Sequence, residues 1–406
     1  MSVASRAALF AALEGLSLFV GFLMQPLLMR ALGLATYGSY ALACALGVLA
    51  YTLTDFGANF AAVTRGIELA DNPAAARRHV WAVQSVKALA GAATVLVGLG
   101  WAWIAGTAQA EAVALAMAIG AAAAWSFPMW FLFSRQKVLS IAASLLLARV
   151  VCLGAAFVVV QGPAQLSWAL LFTLGAPLLG ALIVMGDAEL RAQLPPCRPR
   201  RKDLRDAASS GLAMLWLSGH GVMSTAVLQS LLFGMTSSAT LGLFAAADRV
   251  RAGVQGLFTA FGSAVFPRFV QYRVDGDEAA GTRVWSLLRL QLVAAGGVAL
   301  ALVLGTPEIV RIVLGPQFEA AVGVLRVLAL ALLTTTLLAG LGVQVMLPRQ
   351  MGRQYTLATL GVLSLQCLAL MVVARQGAVG AAAVVVLSEG IVGSVLWVQL
   401  RRRRPS

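Results

Sequence analysis

Residues 35–43 read Ala35-Thr36-Tyr37-Gly38-Ser39-Tyr40-Ala41-Leu42-Ala43, and residues 239–247 read Ala239-Thr240-Leu241-Gly242-Leu243-Phe244-Ala245-Ala246-Ala247. Both follow Ala-Thr-x-Gly-x-aromatic-Ala-x-Ala, 204 positions apart in a chain of 406 residues. Alanine-rich sequence imitates the last positions easily, but not the threonine, glycine and aromatic together. Each copy opens a long apolar run, 39–61 in the first case and 241–266 in the second. These are the second and eighth of about twelve such runs, each near the ~20 residues a transmembrane helix needs. The repeat therefore splits the chain into two halves of six spans. An even number of spans returns the chain to its starting side, so the halves share one orientation. Their expected relation is a pseudo-two-fold axis along the membrane normal, with a central cavity between two six-helix lobes.

The remaining runs are 9–29, 80–105, 111–133, 138–161, 165–186, 210–234, 285–305, 321–347, 355–374 and 378–400. Composition agrees with them: 60% of residues are hydrophobic and 11% charged, and mean hydropathy is +0.87. A soluble domain carries about 25% charged residues. The alternation of an outer-membrane barrel is missing, so the fold class expected is an all-α integral membrane bundle. Its parts are an N-terminal lobe (1–186), a basic linker (187–209), a C-terminal lobe (210–400) and a basic tail (401–406). Residues 9–29 are too long for the apolar core of a signal peptide and are read as a span that stays. Cys44, Cys152, Cys197 and Cys367 show neither disulfide nor metal-ligand spacing.

A net charge of +14 invites a nucleic-acid reading, but its distribution argues for topology. With the N-terminus inside, twenty-one basic residues fall in cytoplasmic segments. They include Arg77, Arg78, the cluster Arg198–Lys202 and the tail Arg401–Arg404, against Arg30, Arg311 and Arg375 outside. This is the positive-inside bias, and it places both termini in the cytoplasm. The clusters could also meet anionic lipid. Outer connections are short, and the longest loop, about 187–209 with Pro195, Pro196 and Pro199, reads as a linker. No catalytic domain fits. Nor is there a nucleophile–base set, phosphate-cradling glycine loop or metal cluster, so no enzyme is expected. A transporter fits this plan.

A charge within a span is expensive and is first read as functional. Arg149 and Glu389 lie near the middles of their spans, as does His220 between Gly219 and Gly221. Arg249 lies about 12 Å into its helix, at 1.5 Å per residue, and Lys87 is similarly deep. Arg289 and Arg326 lie close enough to span ends to reach the interface. Lys87, Arg149, Arg249 and Arg251 are candidates for an electropositive cavity, since a guanidinium fork matches phosphate oxygens. The competing account is internal ion pairing. Asp248 and Arg251 are spaced i,i+3, and Arg149 has Glu14, Asp55 and Glu389 as conceivable partners. Six bases against four acids leave the span interiors net positive, which favours an anionic cargo. Glu14, Asp55, Asp248, Glu389 and His220 are candidates for coupling to H+ or Na+, or for pairing. Pro128 and Pro177 are candidate kinks.

The run Met29-Arg30-Ala31-Leu32-Gly33 with Tyr37-Gly38, then Thr54-Asp55-Phe56-Gly57, resembles the polysaccharide-export (Wzx-type) branch of the multidrug/oligosaccharidyl-lipid/polysaccharide exporter superfamily. So do Leu241 to Arg249 with Phe266-Pro267, Glu308 to Gly315 with Phe318, and Ala378 to Ala382. The likeness covers nearly the whole chain in order. It implies a flippase that carries an undecaprenyl-pyrophosphate-linked oligosaccharide from the cytoplasmic to the periplasmic leaflet of the bacterial inner membrane. It implies no cofactor. Polysaccharide polymerase and chain-length machinery are the implied protein partners. The alternative is an ion-coupled multidrug antiporter of the same superfamily, whose cationic cargo would want an acidic, aromatic cavity.

Overall fold

The computed structural model describes residues 3–193, 195–274, 280–347 and 349–402, so the tail arginines Arg403 and Arg404 lie outside the described residues. The described chain is helical, without a strand. In order the helices are α1 (Val3–Asp55), α2 (Ala58–Glu68), α3 (Pro73–Ala105), α4 (Ala108–Ser126), α5 (Met129–Ser134) and α6 (Val138–Val159). There follow α7 (Leu166–Leu174), α8 (Ala176–Val184), α9 (Ala188–Gln193), α10 (Arg201–Met235) and α11 (Ser238–Val274). The last four are α12 (Ala280–Ile309), α13 (Ala321–Gly340), α14 (Gly352–Val373) and α15 (Gly377–Arg402). Two π-helical turns, Val310–Leu314 and Leu341–Met346, extend α12 and α13.

The local starts and stops follow the side chains. Asn72 accepts the Ala75 amide at 3.1 Å, with Pro73 in the first turn of α3. Thr107 does the same for Ala110 at the start of α4. Each cap satisfies an amide that the first helical turn leaves over.

Eight helical stretches among the described residues are long and apolar enough to cross a membrane, and ten if two bent pairs each count once. The expected twelve are consistent with this tally. The first stretch, Ala12–Glu68, would reach roughly 85 Å if straight, nearly three bilayer cores of ~30 Å. It is broken at Gly33, whose φ of 75° and ψ of 168° lie in a region essentially open to glycine alone. It thus supplies two spans. Helix α11, which carries Asp248, Arg249 and Arg251, is not among these stretches. The bent pairs are α7 with α8, at 42°, and Arg201–Trp216 with Gly219–Met235, at 61°. Pro177 sits in the first turn of α8, and Pro128 separates α4 from α5.

The chain packs as two compact units, Met1–Ala226 and Val227–Ser406; the division falls within α10, downstream of segment 187–209. In the first unit, α1 packs along α4 and α6. A buried cluster of Phe127, Trp130, Phe131, Ile141 and Leu145 joins α5 and α6 to α2, α3 and α8. In the second unit, α13 lies against α11, α12 and α15, and Leu325, Leu328 and Leu332 are fully enclosed. Outward-facing side chains are as apolar as the core. Leu96, Val97, Trp103, Phe157, Leu304 and Val372 are each more than two-thirds exposed. A soluble monomer does not leave so many large apolar side chains this exposed; hydrocarbon chains are their natural solvent. The repeated motif is buried alike in both units: Tyr37 and Leu241, Tyr40 and Phe244, and Ala43 and Ala247 are each no more than 2% exposed.

Candidate functional site: charged clusters inside the spans

In the first unit the site begins at the Thr54-Asp55-Phe56-Gly57 turn. Phe56 (φ 52°) and Gly57 (φ 71°) both adopt left-handed backbone, which ends α1 and starts α2. Gly57 is needed twice over, since a Cβ there would lie 2.7 Å from the Gly211 carbonyl. The turn leaves Asp55 at the carboxyl end of a helix, where the dipole disfavours an anion. Two contacts offset this. Lys87 Nζ donates to Asp55 Oδ1 at 3.2 Å, and the Asn59 amide of α2 donates to Oδ2 at 3.4 Å. Lys87 is 1% exposed. It also lines, with Asp55, His79, Val83 and Ser210, a small open-sided pocket. His79 is fixed there by a 3.2 Å contact to the Ala62 carbonyl and an edge contact with Trp130.

Arg149, on α6, donates to Ser17 Oγ on α1 at 2.8 Å, and its charge neighbours are Glu14 and Tyr51. Arg149 is half-buried and held by a neutral hydroxyl, whereas Lys87 is committed to a carboxylate.

In the second unit Arg251 and Asp248 close at 2.7 Å on one turn of α11. Arg251 extends to Thr335 Oγ1 at 3.5 Å. Glu389 of α15 accepts from Thr334 at 3.1 Å and from Thr335 at 2.6 Å. Asp248, Arg251 and Glu389 thus meet around two threonine hydroxyls. Arg249, the next residue along α11, is half-buried, as is His220 on α10.

The structure brings Lys87 to Asp55, Arg149 to Ser17, and Arg251 to Asp248 and, through Thr335, to Glu389. Lys87 and Arg149 lie in the first unit, Arg249 and Arg251 in the second. A reading limited to charged residues missed Ser17, Thr334 and Thr335. Each is polar inside an apolar run, and that is the signal that would have found them. Among the described residues no three His, Cys, Asp or Glu side chains are grouped as a metal site requires.

Outside the spans, Lys137 donates to Asp187 at 2.6 Å and lies 3.0 Å from Glu189. This ties the α5–α6 turn to the start of α9.

Residues 6–273, two-thirds of the chain, match the family model described as "Polysaccharide biosynthesis protein". This chain belongs to that family. A relative in Escherichia coli (strain K12), named "Putative O-antigen transporter", is 22% identical over 97% of this chain and 95% of its own length. Among solved structures, the lipid II flippase MurJ in an inward closed conformation superposes with a TM-score of 0.75 at 13% identity, over 98% of this chain and 88% of that one. An inward-facing multidrug resistance MATE transporter of the MOP superfamily gives 0.68 at 16% identity, over 99% and 95%. At such identities the structures speak for the fold alone. The chain is thus a multi-pass membrane protein of a polysaccharide biosynthesis family with the fold of membrane transporters.

Proposed function

We propose that this protein is a flippase. Its cargo is an undecaprenyl-pyrophosphate-linked oligosaccharide repeat unit, carried by alternating access from the cytoplasmic to the periplasmic leaflet of the inner membrane, with both termini cytoplasmic. One observation carries the reading furthest. Arg149 stands mid-span with its guanidinium bonded to a neutral serine hydroxyl, which leaves donor capacity for an oxyanion. Arg249 is proposed for the second unit from its depth in α11. Lys87 and Arg251, each already on a carboxylate, set the local potential and contribute less directly to the phosphates. Asp55, Asp248 and Glu389 are the proposed sites of H+ or Na+ coupling, with Glu14 and His220 as further candidates. The polymerase and chain-length proteins of the pathway are proposed partners.

Complementation tests this. A bacterium lacking its own repeat-unit flippase would receive this chain, or its Arg149→Ala or Arg249→Ala variant, with several donor sugars. Surface polysaccharide should return with the parent and fall at least tenfold with either variant at equal membrane level. Full restoration by both variants would remove the arginines from the site. Failure of the parent with every sugar, alongside export of cationic dyes, would move the assignment to a drug antiporter.

A further inference from the structure

A second polar site lies wholly within the Val227–Ser406 unit and contains no charge. Gln255, Thr259 and Gly262 of α11, Gln291 of α12, Thr336 of α13 and Gln344 of the π-helical turn line an open-sided pocket. Gln255 Nε2 donates to Thr336 Oγ1 at 3.2 Å, and Gln344 Nε2 donates to Gln291 Oε1. Those bonds use one end of each amide. The Oε1 atoms of Gln255 and Gln344 are buried and meet no donor within the protein, on residues only 9% and 3% exposed. Turning either amide around exchanges the orphan atom without removing it.

Gln84, Gln165, Gln229 and Gln366 also carry a buried amide oxygen without a donor, but those of Gln255 and Gln344 share one pocket, and leaving a buried amide unpaired is unfavourable. The backbone is also shaped around the site. Residues Leu341–Met346 form a π turn, with the Leu347 amide on the Gly342 carbonyl, and such turns often mark functional positions. At Gly342 any Cβ would collide with the Tyr355 ring, so the turn is locked in place. Three amides and two threonine hydroxyls offer donors and acceptors with no net charge. That set suits a neutral ligand that both donates and accepts, and it is a poor match for a phosphate or a bare cation, which would draw a charged partner.

We infer that the Gln255–Gln291–Thr336–Gln344 pocket recognises the hydroxyl or N-acetyl groups of one sugar residue. The inference rests on the flippase reading: the pyrophosphate would be held by arginines elsewhere, while this pocket reads the glycan. Two hydrogen bonds to the orphan oxygens, at about 0.5–1.5 kcal/mol each, correspond to roughly tenfold in affinity.

The test uses the full chain in lipid nanodiscs. Binding of undecaprenyl pyrophosphate is compared with binding of the same lipid carrying one N-acetylhexosamine, or one hexose. The variants are Gln255→Met and Gln291→Met/Gln344→Met, which keep volume and remove the orphan groups. The parent should bind at least one sugar-bearing lipid about tenfold more tightly than the bare lipid. Both variants should bind the bare lipid as the parent does, lose the sugar preference, and melt no lower than the parent. Equal binding of bare and sugar-bearing lipids by the parent overturns the pocket while leaving the flippase reading intact. No binding of any of these lipids by the parent defeats the flippase reading and the pocket with it. Variants that keep the sugar preference but melt lower would make the glutamines packing groups. Stabilisation of the parent, but not the variants, by Na+ without sugar preference would make this a cation site instead.

Discussion

Lys87 and Asp55 are 32 positions apart, and no local rule pairs them. Each is conspicuous in sequence because a charge in a span is costly, but their partnership is tertiary. It comes from the break at Phe56-Gly57 that turns Asp55 toward α3. By contrast the Asp248–Arg251 pair is legible directly, because i,i+3 side chains share a helix face. Its extension to Glu389 through Thr334 and Thr335 is not, because hydroxyls and amides do not stand out among apolar residues as charges do. The glutamine pocket went unread for the same reason. A buried pair has a characteristic signature on mutation. Lys87→Met should lower unfolding stability in detergent by about 3–5 kcal/mol, because it strands the carboxylate, while Lys87→Met/Asp55→Asn should recover most of that loss. A Lys87→Met protein as stable as the parent would show that the two groups do not pair as ions.

At the level of elements, the apolar runs marked the spans, and Pro128 and Pro177 marked two of their breaks, whereas nothing marked the break at Gly33. Helix α3 begins at Pro73, before the expected 80, because the Asn72 cap and Pro73 start a helix while the residues are still polar. The single element α1 holds two expected spans because the break at Gly33 takes one residue and no loop. Connections outside the spans are pinned by charge. Burial alone would raise the Asp187 carboxyl. The hydrogen bonds from Lys137 and the Leu190 amide, with the charge of Lys137, outweigh that and hold it below the ordinary carboxylate range. Burial likewise pulls Lys137 down, and its bonds and attraction to Asp187 and Glu189 overcome this, leaving it raised. The sign follows from linkage. Asp187 contributes stability at pH values above its unfolded value, about 3.9, and that is lost as pH falls through its lower folded value. Lys137 contributes below about 10.4, and that is lost as pH rises through its higher folded value. An Asp187→Asn variant should therefore be less stable than the parent by up to about 1 kcal/mol at pH 7. The two should converge as pH falls below 3. A gap in melting temperature that persists undiminished at pH 2 would mean that something other than the ion pair holds this junction.

For the whole molecule, the repeat at 35–43 and 239–247 was readable because a buried helix start constrains several positions at once, and both copies are buried in the same pattern. How charges divide between binding and pairing was not readable, since both uses demand the same residue types at the same depth. Orientation is open to direct measurement. Cys197, partly exposed, lies in the basic segment assigned to the cytoplasm, while Cys44 and Cys152 are buried. With Cys367 replaced by alanine, a membrane-impermeant maleimide should label inside-out vesicles and leave intact spheroplasts unlabelled. Labelling of the spheroplasts would invert the topology and with it the proposed direction of transport.

A flippase must move its glycan-bearing lipid from one leaflet of a bilayer to the other. The most direct measurement is to reconstitute the purified protein in liposomes holding an undecaprenyl-pyrophosphate-linked oligosaccharide. Its exposure on each leaflet is then followed with an added glycosidase. Protein-dependent transfer to the opposite leaflet, reduced at least tenfold by Arg149→Ala, is the predicted result. A glycan that stays on its original leaflet, in vesicles where the same protein and the imposed H+ or Na+ gradient are shown to be intact, would contradict the account.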